Sequence, residues 1–116
     1  MMATQEQASS RRPIVVVTTV ADRAQAQAIA RALVAGHLAA CVQIHPIDSI
    51  YAWQGEIREE RELRLLVKTI ERNYAAVEAA IRQLHSYELP AVHAIAFAHV
   101  EGAYGHWITD NSNGRS

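Results

Sequence analysis

The hydrophobic positions at the start of the chain change from a strand-like to a helix-like spacing. Residues 13–20 are mostly β-branched and apolar, which is typical of a strand buried on both faces in the middle of a sheet. A first helix is predicted over residues 22–35, because Asp22 suits its N-cap and Gly36 its end. Its apolar positions recur at helical spacing as one narrow stripe: Ala26, Ile29 and Leu33.

The middle of the chain shows the period-two alternation of strands. Three strands are predicted, over residues 38–47, 49–57 and 63–70. Pro46, near the end of the first, and Asp48, just after it, indicate a bend or bulge before the second. The charged run at residues 58–62 predicts a solvated hairpin tip before the third strand. Together these strands predict a long arm of paired strands.

The second predicted strand of the arm carries two large aromatic rings. Tyr51, Trp53 and Ile57 share one face of an unbroken strand, with Gly55 between them. Two placements of the rings are open. They either pack on a neighbouring subunit or lie in the chain's own core, where buried aromatic side chains are common.

The last third of the chain predicts a helix, a strand and a short helix. The first covers residues 73–85 and ends before Pro90, and the strand follows at residues 92–98. The helix has its apolar residues on one face: Tyr74, Val77, Ile81 and Leu84. After Gly102, a short final helix has three residues at helical spacing: Tyr104, Trp107 and Ile108.

This order of elements predicts an α+β fold, a ferredoxin-like sandwich of two strand-helix-strand units with a long β-hairpin arm and a short C-terminal helix. Right-handed crossovers place both main helices on one face of an antiparallel sheet. The other face contains Leu66, Ile70, Ile95 and Phe97 and has no predicted helical cover. A bare apolar face indicates an interaction site. Self-association is therefore expected, with Tyr51 and Trp53 at the subunit interface.

The composition predicts one domain over residues 13–110, between a disordered tail at 1–12 and a flexible tail at 111–116. The net charge of −1 in 116 residues argues against nucleic acid as a partner. No apolar run is long enough to cross a membrane, and no signal peptide is recognised. The single cysteine, Cys41, excludes an intrachain disulfide, so the cytoplasm is the predicted location.

Candidate chemistry centres on the segment that follows the second predicted helix. His85 is followed closely by Tyr87 and Glu88, and an imidazole beside a carboxylate suits copper or zinc. One histidine and one carboxylate do not complete a site, so a second subunit would have to add ligands. The alternative is a histidine stabilised by the helix dipole. Cys41 is either a nucleophile or a small buried residue of an apolar strand, and the latter is preferred.

Several ordered motifs, spread over residues 13–110, resemble the CutA family of divalent-cation tolerance proteins. The motifs are Val17-Thr18-Thr19, Ala39-Ala40-Cys41-Val42, Ser49-x-Tyr51-x-Trp53-x-Gly55, Glu62-x4-Val67-Lys68-Thr69, His85-x-Tyr87-Glu88-x-Pro90 and Tyr104-x2-Trp107-Ile108. The resemblance implies a ferredoxin-like subunit in a stable homotrimer and a response to metal ions. In bacterial members a copper site is attributed to a first-strand cysteine and a histidine pair. Here those positions are Thr18 and Leu84-His85, so only His85 matches.

Three functions are compatible with these observations. The first is a homotrimer that binds Cu(II) or another divalent cation through His85, with no organic cofactor. The second is a signalling or scaffold trimer that binds a small molecule or protein in clefts between subunits, near Lys68, Tyr87 and Glu88. The third, an enzyme that uses Cys41, is ranked last, and the chain is predicted not to be an enzyme.

Overall fold

Four strands form one antiparallel sheet, in the order β2-β3-β1-β4, in the computed structural model, which describes residues 9–114. The strands are β1 (Pro13–Val20), β2 (Cys41–Trp53), β3 (Glu56–Ile70) and β4 (Val92–Ala96). The helices are α1 (Arg23–Ala35), α2 (Tyr74–Leu84) and α3 (Gly102–Asp110), with a short 3-10 turn, Glu71–Asn73, before α2. The fold is therefore α+β, as predicted.

Helices α1 and α2 cover one face of the sheet. One cluster of buried apolar side chains joins both helices to the two central strands: Ile14, Val16, Val20, Ala26, Ile29, Leu33, Leu65, Val67, Val77 and Ile81. The predicted stripe of α1 is confirmed, because its three residues are fully buried. Asp22 caps this helix as predicted, and its Oδ1 accepts a hydrogen bond from the Gln25 amide at 2.8 Å.

Helix α3 packs at one end of the opposite face. Lys68, whose neighbour Val67 belongs to the helix-side core, places its ammonium 5.3 Å from the centre of the Tyr104 ring. Ile108 is fully buried, whereas Trp107 is 45% exposed and stacks on Tyr104. The expectation of a face without helical cover therefore holds only in part, because α3 covers Lys68 whereas Ile95 of β4 is exposed.

The arm has two strands, where the sequence suggested three. β2 runs through Pro46 and Asp48 without a break, and its register with β3 is continuous from Cys41 to Trp53. The chain reverses at Gln54 and Gly55, whose φ angles of 50° and 80° suit a two-residue hairpin turn. The charged run at residues 58–62 therefore belongs to the body of β3. Pro46 is tolerated because β2 is an edge strand.

The position of this turn also corrects the faces of the arm. Residues that face each other across two strands have side chains on the same side of the sheet. Trp53 pairs with Glu56, and Tyr51 pairs with Arg58, whereas Ile57 pairs with Ala52. Ile57 therefore lies on the face opposite to Tyr51 and Trp53, and the prediction that the three share a face was wrong.

The ends of the domain are attached to it by hydrogen bonds. The Arg12 guanidinium lies 3.0 Å from the Glu71 carboxylate. Ser112 and Gly114, which belong to the expected flexible tail, bond to Asn73 and His37 respectively. Most of the expected N-terminal tail, residues 1–8, and the final residues 115–116 lie outside the described part of the chain.

Candidate functional site

The arm projects beyond the sheet because its two strands are longer than β1. β1 pairs with β3 only over residues 63–70 of β3, whereas β2 pairs with β3 along its full length of 13 residues. The projecting part comprises Ile47–Trp53 of β2 and Glu56–Glu62 of β3; we refer to these two segments as the arm. The loop at residues 85–91, between α2 and β4, passes beside the base of the arm.

A groove of about 920 Å³ lies between the arm and this loop. Its arm side includes three charged residues of β3, and its loop side includes residues 86–89. The residues on which the following argument depends are Tyr51, Trp53, Arg58, Glu60, Glu62, Tyr87 and Glu88. The structure therefore brings the predicted interface rings and part of the predicted cleft together in one groove.

His85 anchors the loop through both of its ring nitrogens. Nδ1 accepts a hydrogen bond from the Tyr87 amide at 3.1 Å, so this nitrogen carries no proton in the arrangement. Nε2 therefore carries the proton and donates it to the Thr19 carbonyl oxygen at 2.7 Å. The ring connects the end of α2 to the end of β1, and coordination of a metal would require it to give up one of these bonds.

Tyr87 connects the loop to the arm. Its hydroxyl donates a hydrogen bond to Glu62 Oε2 at 2.9 Å, and its ring lies 4.8 Å from that of His85. Glu62 is only 8% exposed, which is unusual for a carboxylate. Burial raises the pKa of the Tyr87 phenol, and the hydrogen bond to Glu62 and its negative charge raise it further. The phenol therefore stays neutral and acts as the donor.

Tyr51 lies on the same face of the arm, next to the carboxylates. Partial desolvation raises the pKa of the Tyr51 phenol, and a hydrogen bond with Glu60 and the charges of Glu60 and Glu62 act in the same direction, against the opposing charge of Arg58. The cross-strand pairs Tyr51–Arg58 and Ser49–Glu60 explain this proximity. Two phenols and two carboxylates are thus concentrated at the base of the arm.

Lys68, the third residue of the predicted cleft, lies elsewhere. It faces Cys41 and Val15 in the sheet, under the Tyr104 ring of α3. Lys68 and Glu62 are separated by six positions of β3, which corresponds to about 20 Å. Within one chain, Lys68 therefore does not share the groove with Tyr87 and Glu88. Cys41 is partly exposed at the start of β2.

No metal centre is formed by the described chain alone. Between residues 9 and 114 there is no group of three or more His, Cys, Asp or Glu side chains arranged to hold a metal ion. His45, for example, is bonded to the Arg64 guanidinium at 3.0 Å. A divalent cation would therefore need further ligands in addition to His85.

The charged residues of β3 were missed as groove residues. They were interpreted as a solvated tip because the turn was not located at Gln54-Gly55. With that turn, the period of two in β3 places Glu56, Arg58, Glu60 and Glu62 on the same face as Tyr51 and Trp53. A two-residue turn that ends in glycine between two alternating runs is a recognised hairpin signal, so the sequence did contain the information.

Comparison with known proteins gives a consistent result. The profile of the CutA1 divalent ion tolerance protein family matches residues 14–111. The chain belongs to the CutA1 family. The divalent-cation tolerance protein CutA of Thermus thermophilus is 41% identical over 99 residues, which cover 84% of this chain and 96% of that protein. The family resemblance found in the motifs is thereby confirmed.

Solved CutA1 structures have the same fold. The structure of the Thermus thermophilus protein superposes with a TM-score of 0.83 at 40% identity, and the match covers 86% of this chain and 98% of the other. The Archaeoglobus fulgidus protein, described as periplasmic, gives 0.84 at 31% identity over 86% and 98%. The α+β fold of this chain is thus the fold of the family.

The family description concerns tolerance of divalent ions and names no catalytic reaction. None of the helices in residues 9–114 is both long and apolar enough to traverse a bilayer. One CutA1 relative is described as periplasmic, so the cytoplasm stays a prediction for this chain.

Proposed function

We propose that this chain acts as a homotrimer in the tolerance of divalent cations and that it binds such a cation directly. The observation that supports the role is the family match, which extends over nearly all of the described chain. The relatives carry the name divalent-cation tolerance protein. We assign no catalytic step to the protein and expect it in the cytoplasm.

The exposed arm supports the trimer. Ile50 is 69% exposed and Ile57 is 80% exposed, on a two-stranded projection that has little stability on its own. Strands β2 and β4 are both free edges of the sheet within one chain, and free edges favour pairing with other chains. We propose that the arm packs on a neighbouring copy, with Tyr51 and Trp53 in the interface. The strand order and the shared helix face also support a ferredoxin-like subunit.

His85 is the proposed protein ligand for the cation, which we take to be Cu(II) or another divalent ion. Imidazole is a suitable donor for Cu(II), and a carboxylate, Glu62, lies close to the neighbouring Tyr87. The remaining ligands would come from a second subunit. Because both ring nitrogens are already bonded, binding has to compete with the Thr19 carbonyl or the Tyr87 amide. Metal affinity is therefore expected to be tied to the position of the loop.

A calorimetric titration with Cu(II) tests this proposal. Sub-micromolar affinity corresponds to about −8 kcal/mol or stronger. The test variants are His85→Ala and His85→Gln, the second of which keeps a donor that can reach the Thr19 carbonyl. His99→Ala is the matched control, because His99 is exposed and distant in sequence from the loop.

Tight binding that is lost in both His85 variants and kept in His99→Ala supports the proposal. Weak binding that is unchanged by the His85 substitutions contradicts it. Such binding would mean that surface histidines collect the metal.

A second candidate function is the binding of a small molecule or protein in a cleft between subunits, with metal binding incidental. The groove of about 920 Å³ favours it, because ligand sites are concave and of this size, and Tyr87 and Glu88 line it. An effector would raise the unfolding temperature in metal-free buffer by mass action. If stabilisation requires added metal in every case, this candidate is rejected.

A further inference from the structure

Gln25 of helix α1 contacts the residues on both sides of His85. Its side-chain nitrogen faces the Leu84 carbonyl oxygen at 3.5 Å, and its side-chain oxygen accepts a hydrogen bond from the Ser86 hydroxyl at 3.1 Å. We refer to these two contacts as the latch. One side chain of α1 thereby holds the end of α2 and the start of the loop at residues 85–91.

The orientation of the Gln25 amide follows from the chemistry of its two neighbours. A carbonyl group only accepts hydrogen bonds, so the NH2 group has to face Leu84, which leaves the oxygen for the Ser86 hydroxyl. Leu84 is the last residue of α2, and the last carbonyl groups of a helix have no partner within that helix. Gln25 supplies a donor to α2 from another helix.

The backbone of Gln25 is itself held in a defined position. Its amide donates to Asp22 Oδ1 at 2.8 Å in the first turn of α1, and the next residue, Ala26, is fully buried in the core. Gln25 is half-buried, whereas Gln27 of the same helix is exposed. The latch therefore starts from a fixed element of the fold.

The latched residues flank an imidazole ring that has no free nitrogen. His85 Nε2 donates to the Thr19 carbonyl oxygen, and Nδ1 accepts from the Tyr87 amide. Both bonds require the loop in its present position. A metal ion can bind a ring nitrogen only after one of these bonds is broken. A contact that stabilises this position of the loop therefore opposes metal binding.

We propose that Gln25 is a positioning residue that keeps His85 in its metal-free arrangement and thereby lowers the affinity of the protein for a divalent cation. This inference rests on the proposed function, because it takes His85 as the ligand. Apparent affinity falls with the fraction of molecules in the binding-competent state, so loss of the latch should raise it. The latch joins residues of one chain outside the arm, so it does not require the arm to be uncovered.

Three substitutions test the latch. Gln25→Leu keeps a side chain of similar size and removes both polar contacts. Gln27→Leu is the matched control, because it makes the same change at an exposed position of the same helix. Ser86→Ala removes the hydroxyl partner alone. The double variant of Gln25→Leu with Ser86→Ala shows whether the two side chains act as one contact.

The first readout uses metal-free full-length protein with a chelator. Hydrogen exchange of the Tyr87 amide reports the bond to His85 Nδ1, and nitrogen NMR of labelled histidine reports which ring nitrogen carries the proton. His85→Gln identifies the His85 signals by their absence.

We expect exchange of the Tyr87 amide to be about three- to tenfold faster in Gln25→Leu, which corresponds to the net contribution of a typical hydrogen bond. The His85 ring signals should move toward the average of the two tautomers. Ser86→Ala should add little in the Gln25→Leu background. Unchanged exchange and ring signals in Gln25→Leu, or equal changes in Gln27→Leu, would overturn the inference.

The second readout is the calorimetric Cu(II) titration. Affinity should be about three- to tenfold higher in Gln25→Leu than in Gln27→Leu, and an equal or lower affinity would contradict the inference. If neither the parent protein nor any variant binds Cu(II), the proposed metal function fails. The exchange and NMR measurements would still decide whether Gln25 positions His85, because they are made without metal.

Discussion

Two threonines in the sheet show how differently buried hydroxyl groups are used. Thr69 Oγ donates to the Leu38 carbonyl at 2.6 Å and accepts from Asn73 at 3.2 Å. Thr18 is also fully buried, but its hydroxyl has no hydrogen-bond partner among the residues that the structure describes. An unsatisfied buried hydroxyl is a free-energy cost, whereas a satisfied one stabilises the fold.

The same substitution is therefore expected to have opposite effects at these two sites. Thr69→Val should lower the free energy of unfolding by about 1 kcal/mol, because it removes two hydrogen bonds of a buried network, while the Asn73 amide still donates to the Leu38 and Ser112 carbonyls. Thr18→Val should leave that free energy unchanged or raise it. Chemical denaturation at one fixed protein concentration measures both, and a larger loss in Thr18→Val would contradict the assignment.

Tyr87 gives the protein an expected sensitivity to alkaline pH. Because the pKa of this phenol is raised in the folded state, its contribution to stability is complete below about pH 10, the unfolded value, and is lost as the pH rises above it. Between about pH 9.5 and 11, the free energy of unfolding should fall less steeply in Tyr87→Phe than in the parent protein. The variant releases about one proton fewer on unfolding, because it has no phenol at residue 87.

Denaturant unfolding at several pH values measures this slope. The pKa values of Tyr51 and Tyr74 are also raised, so a residual slope is expected in the variant. Parallel curves for the variant and the parent would show that Tyr87 does not contribute.

At the scale of the elements, the helices were more predictable than the arm. Helical spacing identified the buried residues of α1 correctly, and Val77 and Ile81 of α2 are likewise fully buried. These patterns are local, because the buried face of a helix is formed by residues on its own successive turns. Burial at the end of α2 was less predictable. Leu84 belongs to the predicted stripe but is 43% exposed.

The arm was harder to predict because its register depends on one turn. Placing Gly55 inside a strand shifted every later side chain of the arm by one position, which exchanges the two faces. The groove was harder still. The contact between Tyr87 and Glu62 joins positions 25 residues apart, and no periodic pattern predicts it. The sequence therefore indicated the residues of the loop and the rings of the arm, but not the contact between the loop and the arm.

The hairpin turn is expected to depend on glycine at residue 55. Its φ of +80° is unfavourable for any residue with a side chain, although the space around it is open. Gly55→Ala should therefore lower the unfolding free energy by about 1 kcal/mol. Gly102→Ala is the matched control, because Gly102 lies in an equally open position without a positive φ. Equal effects of both substitutions on denaturant unfolding would contradict the proposed strain.

At the scale of the whole molecule, the subunit is elongated. Its principal extents are 55 × 26 × 22 Å and its radius of gyration is 15.2 Å, compared with about 13 Å for a compact domain of this size. The excess comes from the arm, whose apolar side chains Ile50 and Ile57 are exposed. An isolated chain of this shape leaves stabilising contacts unmade, and further copies would supply them.

The two tryptophans should affect assembly unequally. Trp53 lies on the arm at the proposed interface, whereas Trp107 stacks on Tyr104 of its own helix, which is held to the sheet by Ile108. Trp53→Ala is therefore expected to raise the dissociation constant of the oligomer more than Trp107→Ala. Dilution series followed by light scattering compare the two. Equal dissociation constants for the two variants would show that Trp53 does not lie in the interface.

Sedimentation equilibrium of the full chain at micromolar concentration is the most direct test of the proposed assembly. A homotrimer would give a single species of three times the chain mass of 12.8 kDa, or 38.4 kDa. That result would mean that the exposed arm is covered by other copies. A species of 12.8 kDa at this concentration would rule out the homotrimer, because the arm would then remain uncovered in solution.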